Sequence, residues 1–194
     1  MSIDSYRDLL AQADNWEKAS GKRWYLDAKS KIETISRKSG IEFNYCAGIV
    51  AVLSPMVEWH LNLRIAERFI MSKGKQRGAG FNRNYEKAKR ILKQGDLSAV
   101  KGPKVKSFYE TLKDPNYFLP VIDTHMIAAF WKGKAYRDDL NIVAQSEKRL
   151  TPIRSALVEL AKEKGNPVSV IQATIWLTFK RLNSEYSTQL KLWG

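Results

Sequence analysis

Apolar residues recur at three- and four-residue steps along most of the chain, which is the spacing of one face of an α-helix. Between positions 43 and 53 nearly every residue is apolar, so a helix there is expected to be buried on all sides. No neighbouring segment alternates with the period of two that a partner strand would need. The fold class is therefore predicted to be all-α. The helices are predicted over 4–19, 24–37, 43–53, 59–71, 85–92, 104–112, 124–131 and two C-terminal stretches.

Glycine and proline mark the predicted helix ends. Gly21 is expected to break the chain after the first helix, and Gly40 to end the second. Near the C-terminus, Thr151 is expected to cap a helix with a proline in its first turn, and Gly165 to end that helix. We predict one compact helical unit with a cleft over residues 1–194. An alternative division has two helical lobes, 43–131 and 1–42 with 132–194.

The chain is strongly basic. Thirty-three Lys and Arg residues against twenty Asp and Glu residues give a formal net charge of +13. Such a field attracts polyanions, and nucleic acid is the most common of these. Solubility alone is served as well by acidic residues, so the sign of the charge favours nucleic acid. Residues 72–84 contain three glycines and are predicted to form a mobile basic loop. Its basic residues are Lys73, Lys75, Arg77 and Arg83.

The residue types exclude several classes of protein. Cys46 is the only cysteine, so an internal disulfide, an iron–sulfur cluster and a cysteine-based zinc site are excluded. No apolar run reaches the roughly 18 residues of a membrane span, and the N-terminus lacks the features of a signal peptide. No metal site and no membrane contact are expected, and we predict that the protein lies in the cytoplasm of a bacterium or of a phage-infected host. We also predict a monomer.

Two short motifs resemble the helix-hairpin-helix DNA glycosylases, the superfamily of endonuclease III and 8-oxoguanine glycosylase. Gly102-Pro103-Lys104 is similar to the hairpin end that supplies a catalytic lysine in that superfamily. The run of residues 121–125, which contains Asp123, is similar to the segment that supplies a catalytic aspartate. The two candidate residues are nineteen positions apart, close to the interval usual in the superfamily. Small phage-encoded members resemble this chain more than the repair enzymes do.

Two further stretches agree with the resemblance. Residues 52–55, followed by Trp59 and Asn62, resemble the loop and helix with which the superfamily probes the base stack. Residues 84–88 resemble the helix that leads into the hairpin. In all, the resemblance covers residues 43–131 and implies the helix-hairpin-helix glycosylase fold.

The hairpin departs from the superfamily pattern in two places. Residues 98–102 contain a single glycine, Gly102, where the superfamily usually has two. The missing glycine normally allows a tight backbone approach to phosphate. The hairpin is therefore expected to grip DNA less closely, or to use Lys101 instead. Lys106 stands at a position where alanine is usual.

The resemblance implies catalytic roles for Asp123 and Lys104. Breaking an N-glycosidic bond builds positive charge on the deoxyribose, and a carboxylate among apolar neighbours stabilises that charge. Asp123 has a second interpretation, because aspartate is also a good N-cap for a helix that starts at Thr124. Lys104 is either a nucleophile that forms a Schiff base at the sugar C1′ or a phosphate contact at a helix start.

We therefore predict a DNA glycosylase that flips a damaged or modified base out of duplex DNA, with AP-lyase activity if Lys104 is the nucleophile. A side chain must fill the gap that the flipped base leaves in the stack. Trp59 is a candidate for this role, and its alternative role is that of a packed core residue. The alternatives are a phage-type transferase that modifies DNA bases on the same fold and a non-catalytic DNA-binding protein. No cofactor is predicted, except for the monovalent cation that such hairpins often hold through backbone carbonyls. The candidates for filling the gap are Met56 and Trp59. The other residues expected to bind DNA are Lys101, Gly102, Lys106, Lys73, Lys75, Arg77 and Arg83.

Overall fold

The computed structural model describes residues 3–131 and 137–192, and these residues form helices joined by turns and contain no strand. The prediction of an all-α fold is therefore confirmed at the level of fold class. A short 3-10 turn, Leu97–Ala99, lies between the fifth and sixth α-helices. The α-helices in the described residues are α1 (Asp4–Gln12), α2 (Asn15–Ser39), α3 (Phe43–Leu53), α4 (Trp59–Met71), α5 (Asn82–Gln94), α6 (Pro103–Lys113), α7 (Thr124–Phe130), α8 (Arg137–Ala144), α9 (Glu147–Lys164) and α10 (Val168–Leu192).

The chain divides into two compact units. The central unit is Leu26–Asp114, and the terminal unit combines Met1–Tyr25 with Pro115–Gly194. The alternative lobe boundaries predicted from the sequence are at 42/43 and at 131/132, and the second of these borders residues outside the described ranges. The observed boundaries are at 25/26, within α2, and at 114/115. Lys104 therefore belongs to the central unit and Asp123 to the terminal unit.

The central unit is built around α3. Residues 46–53 of this helix are all buried, as the apolar pattern predicted, and α3 contacts α4, α5 and α6. Each fully buried aliphatic side chain contributes about 1.5–3 kcal/mol, so α3 is a main source of this unit's stability. A Cβ atom at Gly48 would lie 2.9 Å from Leu97 Cδ2. The absence of a side chain there lets the 3-10 turn before α6 pack directly on α3.

The terminal unit has its own hydrophobic core, to which α1, α7, α9 and α10 contribute. Tyr6, Met126, Leu150 and Ile171 are among its buried residues. The hydroxyl of Tyr6 donates a hydrogen bond to the Met126 carbonyl oxygen at 2.8 Å, which ties α1 to α7. Because α7 is anchored in this core, the residue that begins it has a defined position.

The single helix predicted over 4–19 is wrong. α1 ends at Gln12, Ala13 is extended with ψ 127°, and α2 begins at Asn15. Asp14 and Glu17 form a reciprocal capping box at this new start. The box supplies acceptors to backbone N–H groups that have no partner within the helix. The Glu17 N–H donates to Asp14 Oδ1 at 2.7 Å, and the Asp14 N–H donates to Glu17 Oε2 at 3.0 Å.

The break predicted at Gly21 is also wrong, because Gly21 lies inside α2. A Cβ atom at this position would lie 2.1 Å from Thr174 Oγ1 and 3.0 Å from Thr174 Cα. Glycine therefore serves here to let α2 and α10 approach each other closely within the terminal unit. Glycine in a helix interior costs about 1 kcal/mol relative to alanine, and the close packing of the two helices offsets that cost.

The start of α9 differs from the prediction as well. α9 begins at Glu147, and the Ser146 hydroxyl caps it by accepting the Arg149 N–H at 3.4 Å. Pro152 consequently lies inside the helix rather than in its first turn. The predicted ends are correct at Gly40, where φ is +69°, and at Gly165, where φ is +61°. Both glycines adopt the left-handed conformation that commonly follows the last helical residue.

Candidate functional site

Asp123 is the N-cap of α7. Its backbone is extended, with φ −102° and ψ −178°, and its Oδ1 atom accepts the Met126 N–H at 2.9 Å. The capping interpretation from the sequence is therefore correct as a description of the geometry. The side chain is 20% exposed, so the carboxylate is neither in the core nor fully in solvent. One carboxylate oxygen is enough for the cap, and the second is engaged elsewhere.

The second oxygen of Asp123 accepts a hydrogen bond from a distant tryptophan. The indole Nε1–H of Trp176, on α10, donates to Asp123 Oδ2 at 3.0 Å. His125 Nδ1 lies 3.4 Å from the same oxygen, and the His125 side chain is 51% exposed. The negative charge of Asp123 is thus held between groups from the start of α7 and from α10.

The charge of Asp123 acts on two buried phenols of the terminal unit. Burial raises the pKa of both Tyr6 and Tyr25 well above 10, and the Asp123 carboxylate raises both further. Both hydroxyls therefore stay protonated and act as donors. The Tyr25 hydroxyl donates to Gln172 Oε1 at 2.8 Å. The chain neighbours of Asp123 are apolar, as the sequence predicted, and Ile122 and Met126 are buried.

Aromatic rings and one lysine surround the Trp176 indole. The ring of Trp24 packs edge to face against Trp176, with centroids 6.2 Å apart. The His125 ring is 6.3 Å from it, and Lys180 Nζ lies 4.3 Å from the centre of the indole. Trp176 lies in one of the two C-terminal stretches that the sequence predicts to be helical, and it was not among the predicted site residues. An indole N–H on a largely buried helix needs an acceptor, which was the available signal, but its spacing along the chain does not identify that acceptor.

In the central unit, the predicted hairpin opens on Gly102. This residue is the N-cap of α6, with φ +94° and ψ 147°, and it has no side chain to cap the helix. Its carbonyl oxygen accepts the Lys106 N–H at 2.9 Å. A Cβ atom at Gly102 would meet nothing within 4 Å, so the backbone conformation and not packing requires glycine here. Lys101, Gly102 and Lys106 are exposed, and Lys104 is half-buried.

The turn that precedes Gly102 uses its own polar groups. Asp96 Oδ1 accepts the Ser98 N–H at 3.0 Å, and hydrogen bonds from Ser98 and Arg90 lower the pKa of Asp96. The carbonyl oxygens of Asp96 and Leu97 accept backbone N–H groups at 3.3 Å and 3.0 Å. These hydrogen bonds hold the turn in place ahead of Gly102, and the monovalent cation at the hairpin stays a prediction.

The loop between α3 and α4 presents one exposed apolar side chain. Met56 is 77% exposed, and its φ of +63° is uncommon for a residue with a side chain. Trp59 is half-buried, with its ring edge to face against Phe108 at 6.0 Å. Asn62, which the resemblance assigned to base-stack probing, is buried and donates from Nδ2 to the Val50 carbonyl oxygen at 3.1 Å. Of these residues, Met56 is the one placed to reach a ligand.

The basic loop before α5 is anchored to the central unit. The Tyr85 hydroxyl accepts the Gly78 N–H at 2.7 Å and donates to the Ala79 carbonyl oxygen at 3.0 Å. Arg77 pairs with Glu86, with Nη2 2.7 Å from Oε1, and its guanidinium lies over the Tyr85 ring. Arg77 must exchange this ion pair before it binds a phosphate. The exposed basic residues of the loop are Lys73, Lys75 and Arg77. The predicted end of the loop at residue 84 is wrong, because α5 begins at Asn82. Arg83 therefore lies in the first turn of α5, with its guanidinium over the Phe81 ring.

The helices and the two groups of candidate residues define an all-α protein, one unit of which carries a basic hairpin and the other a half-buried carboxylate. The chain belongs to a family described as Family of unknown function (DUF7178), whose model matches residues 4–183. This match includes every candidate residue of both units. The chain matches no curated protein and no solved structure. In the described ranges, no helix combines the length and the apolar character that crossing a membrane requires.

Proposed function

We propose that this protein is a DNA glycosylase of the helix-hairpin-helix type, acting on a damaged or modified base in duplex DNA. The observation that carries the proposal is the hairpin formed by α5, the 3-10 turn and α6. It opens on Gly102 in a conformation that favours glycine, it carries Lys104, and Asp123 follows nineteen residues later at the start of α7. The order and spacing of these features match those that the resemblance implies.

The hairpin is suited to a phosphate of the DNA backbone. A helix N-terminus carries a partial positive charge and presents N–H groups, which together favour anions. The space in front of Gly102 is open, and Lys101 and Lys106 are exposed beside it. A net charge of +13 supplies the long-range attraction for the duplex. Phosphate contacts of this kind position the duplex without reading its sequence.

Asp123 is suited to stabilise the positive charge that develops on the deoxyribose. Its carboxylate is fixed by two hydrogen bonds and is mostly shielded from solvent, which strengthens its electrostatic effect. A fixed charge of this kind needs no reorganisation when the C1′–N bond breaks. Hydrogen bonding to both oxygens also reduces how strongly the carboxylate attacks as a nucleophile, so we assign it charge stabilisation and the orientation of a nucleophile.

Lys104 supplies the covalent version of the reaction. Its unprotonated Nζ forms a bond to C1′ while the C1′–N bond to the base breaks, and the base leaves with that electron pair and takes up a proton. The amine then loses its proton, and opening of the sugar ring gives an imine. In the monofunctional version water takes the place of the amine, and Lys104 contacts a phosphate instead. The half-burial of Lys104 at the start of α6 is compatible with both versions.

Met56 is suited to fill the gap that a flipped base leaves. Base flipping requires a side chain that takes the place of the extruded base, and apolar side chains, methionine among them, serve as such wedges. Met56 is exposed at the tip of its loop, and its positive φ marks a backbone conformation that the surrounding structure maintains. Trp59 then supports the loop through its contact with Phe108.

A second candidate function is DNA binding without catalysis, which the helix cap favours because capping alone accounts for one hydrogen bond of Asp123. Duplex oligonucleotides that each carry one modified base distinguish the two functions. A glycosylase releases the free base, which chromatography detects, and binding is measured on the same duplexes. Tight binding to every duplex with no base released from any of them would support the non-catalytic function and contradict the glycosylase.

A further inference from the structure

The two oxygens of the Asp123 carboxylate have separate donors. Oδ1 accepts the Met126 N–H at 2.9 Å, which is the capping bond, and Oδ2 accepts the Trp176 indole N–H at 3.0 Å. Helix capping requires only the first bond. The second bond fixes the rotation of the carboxylate about its Cβ–Cγ bond, which the cap alone leaves adjustable. The Trp176 contact therefore has an effect that the structural role of Asp123 does not need.

We propose that Trp176 is a positioning residue for Asp123, and that Lys180 reinforces it by placing a cation on the indole ring. The indole N–H holds Oδ2 in one place and favours the charged carboxylate, because a hydrogen bond donated to the charged form stabilises that form. The effect on the carboxylate follows from the geometry alone. The effect on base release rests on the proposed function.

Trp176 is itself held in place within the terminal unit. The Trp24 ring packs against it edge to face at 67°, and Trp24 packs in the same way against the buried Tyr25, with centroids 4.6 Å apart. The close approach of α2 and α10 at Gly21 keeps these rings together. A donor fixed by packing loses little conformational entropy when it binds its acceptor, which is the property of a preorganised site.

Lys180 contacts the ring of the Trp176 indole, whereas Asp123 accepts its N–H. It follows Trp176 by four positions on α10, so both side chains lie on the same face of the helix. Its Nζ atom lies 4.3 Å from the ring centre, within the range of a cation–π interaction. A cation on the ring draws π-electron density toward itself, which makes the indole N–H a stronger donor. Because Lys180 is exposed, salt weakens this contribution.

Among the described residues, other groups that act on Asp123 lie on α1, α2 and α7. Tyr6 on α1 and Tyr25 on α2 stay neutral, because burial and the Asp123 charge raise the pKa of both phenols well above 10. His125 on α7 lies 3.4 Å from Oδ2 and donates to it only when its Nδ1 carries a proton. The indole N–H of Trp176, by contrast, is a donor to Oδ2 whose hydrogen does not depend on pH.

The first test uses ¹⁵N-labelled full-length protein and the indole N–H resonance of Trp176. We expect this resonance to lie downfield of an exposed indole, to shift as Asp123 takes up a proton in acid, and to lose that shift in Asp123→Asn. In Lys180→Met, which keeps the length of the side chain, the resonance is expected to move upfield. The matched control is Lys22→Met, since Lys22 is another exposed lysine of the same unit. A Trp176 resonance that is unaffected by Asp123→Asn would overturn the proposal.

The second test measures base release. Trp176→Phe keeps the aromatic ring and removes the N–H, so kcat is expected to fall by roughly 10- to 100-fold while duplex affinity changes by less than about twofold. The acidic limb of the pH–rate profile is expected to move to higher pH, because the carboxylate loses a bond to its charged form. Lys180→Met is expected to move that limb in the same direction by a smaller amount. A folded Trp176→Phe protein with unchanged kcat and pH profile would overturn the positioning role.

The two tests separate this proposal from the proposed function. If the wild-type protein releases no base from any duplex, the glycosylase proposal fails, and the indole titration still decides whether Trp176 holds the carboxylate. If Trp176→Phe does not fold, Lys180→Met carries the kinetic test. An acidic limb in Lys180→Met that coincides with that of the wild type, together with an unshifted indole resonance, would remove Lys180 from the proposal.

Discussion

Arg181 holds the buried carboxylate of Glu17, with its Nε atom 2.8 Å from Glu17 Oε1. The Glu17 side chain is 1% exposed, and it also accepts the Thr178 hydroxyl at 3.1 Å and the Asp14 N–H at 3.0 Å. Arg181 further donates to the Gln12 carbonyl oxygen at 3.0 Å. One ion pair thus joins the end of α1, the start of α2 and the middle of α10 in the terminal unit.

This ion pair predicts how stability depends on pH. Burial by itself raises the pKa of Glu17, but the hydrogen bonds from Arg181, Asp14 and Thr178 outweigh burial, so the pKa is lowered below 4.5. The unfolded chain therefore binds this proton more tightly than the folded chain. The stabilisation is complete above the unfolded-state pKa of about 4.3 and is lost as pH falls through the lower folded-state value.

We accordingly expect Glu17→Gln to lower the free energy of unfolding by about 2 kcal/mol at pH 7. The cost is below that of a fully buried pair because Arg181 is 32% exposed. Urea unfolding measures it, and the gap to wild type should shrink as the pH is lowered through the folded-state value. Glu163→Gln removes an exposed partner of Arg7 and is expected to cost much less than Glu17→Gln, because solvent screens an exposed ion pair. Equal losses in both variants would contradict a structural role for the Glu17 pair.

Asp123→Asn is expected to reduce base release by ~10²–10³-fold while leaving the fold and duplex affinity close to wild type. Asparagine keeps the size of the side chain and caps helices well, so the fold is expected to be retained. The variant loses the negative charge together with the Oδ2 acceptor of the Trp176 indole N–H. Single-turnover chromatography and circular dichroism measure the two effects. Asp27→Asn, at an exposed position of α2, is the matched control. Wild-type turnover by Asp123→Asn would leave Asp123 with its capping role alone.

Lys104 decides between two kinds of enzyme. If its amine attacks C1′, borohydride is expected to reduce the imine to a permanent protein–DNA cross-link, seen as a shifted band on a denaturing gel. Lys104→Ala is then expected to lose both the cross-link and strand cleavage. Lys106→Ala, two residues further along α6, controls for the loss of a basic charge. Base release by wild type without any trapped complex, and retained by Lys104→Ala, would assign the reaction to water.

Duplex binding is expected to weaken with salt. If the hairpin and the basic loop together contact about four to six phosphates, the logarithm of the affinity is expected to fall against the logarithm of salt with a slope of roughly −4 to −5. Fluorescence anisotropy across a salt series measures this slope. Lys101→Ala is expected to reduce the slope by about one, whereas Lys22→Ala leaves it unchanged. A flat salt response would rule out the DNA-binding proposal.

Gly21→Ala is expected to destabilise the protein by about 1–3 kcal/mol, although alanine is the better helix former. The added Cβ atom would meet the Thr174 side chain and backbone at 2.1–3.0 Å. Urea unfolding checks this. Gly21→Ala in a Thr174→Ala background relieves the contact with the side chain, so part of the loss is expected to return. A stabilised Gly21→Ala protein would contradict the close approach of α2 and α10.

Local pattern predicted several elements to the residue. α3 and α4 have the predicted bounds, Phe43–Leu53 and Trp59–Met71, and Gly40 and Gly165 end helices as expected. These features depend on interactions within a few residues, such as the period of apolar positions and the left-handed glycine after a helix, so the sequence alone carries them. The all-α fold class follows from the same patterns.

Two misjudged positions show why a local signal is ambiguous: a distant residue determines the role of Gly21, and an earlier local cap determines the start of α9. Gly21 signalled a break, yet its neighbour Thr174 is more than 150 positions away and makes glycine a packing residue. The start predicted at Thr151 was displaced because Ser146 caps α9 earlier, with Pro152 inside the helix. A glycine or a proline has several structural uses, and which of them applies depends on contacts that appear only when the chain is folded.

The features of the candidate site also fall into those that the sequence predicts and those that only the folded chain shows. The sequence by itself indicated that a helix begins shortly after Gly102, that Asp123 suits an N-cap, and that the chain carries a net charge of +13, since each is a property of local conformation or of composition. Only the tertiary structure decided that Trp176 donates to Asp123, with Lys180 on its ring. A hydrogen bond across 53 positions has no local signature, because its partners meet only after two helices have packed.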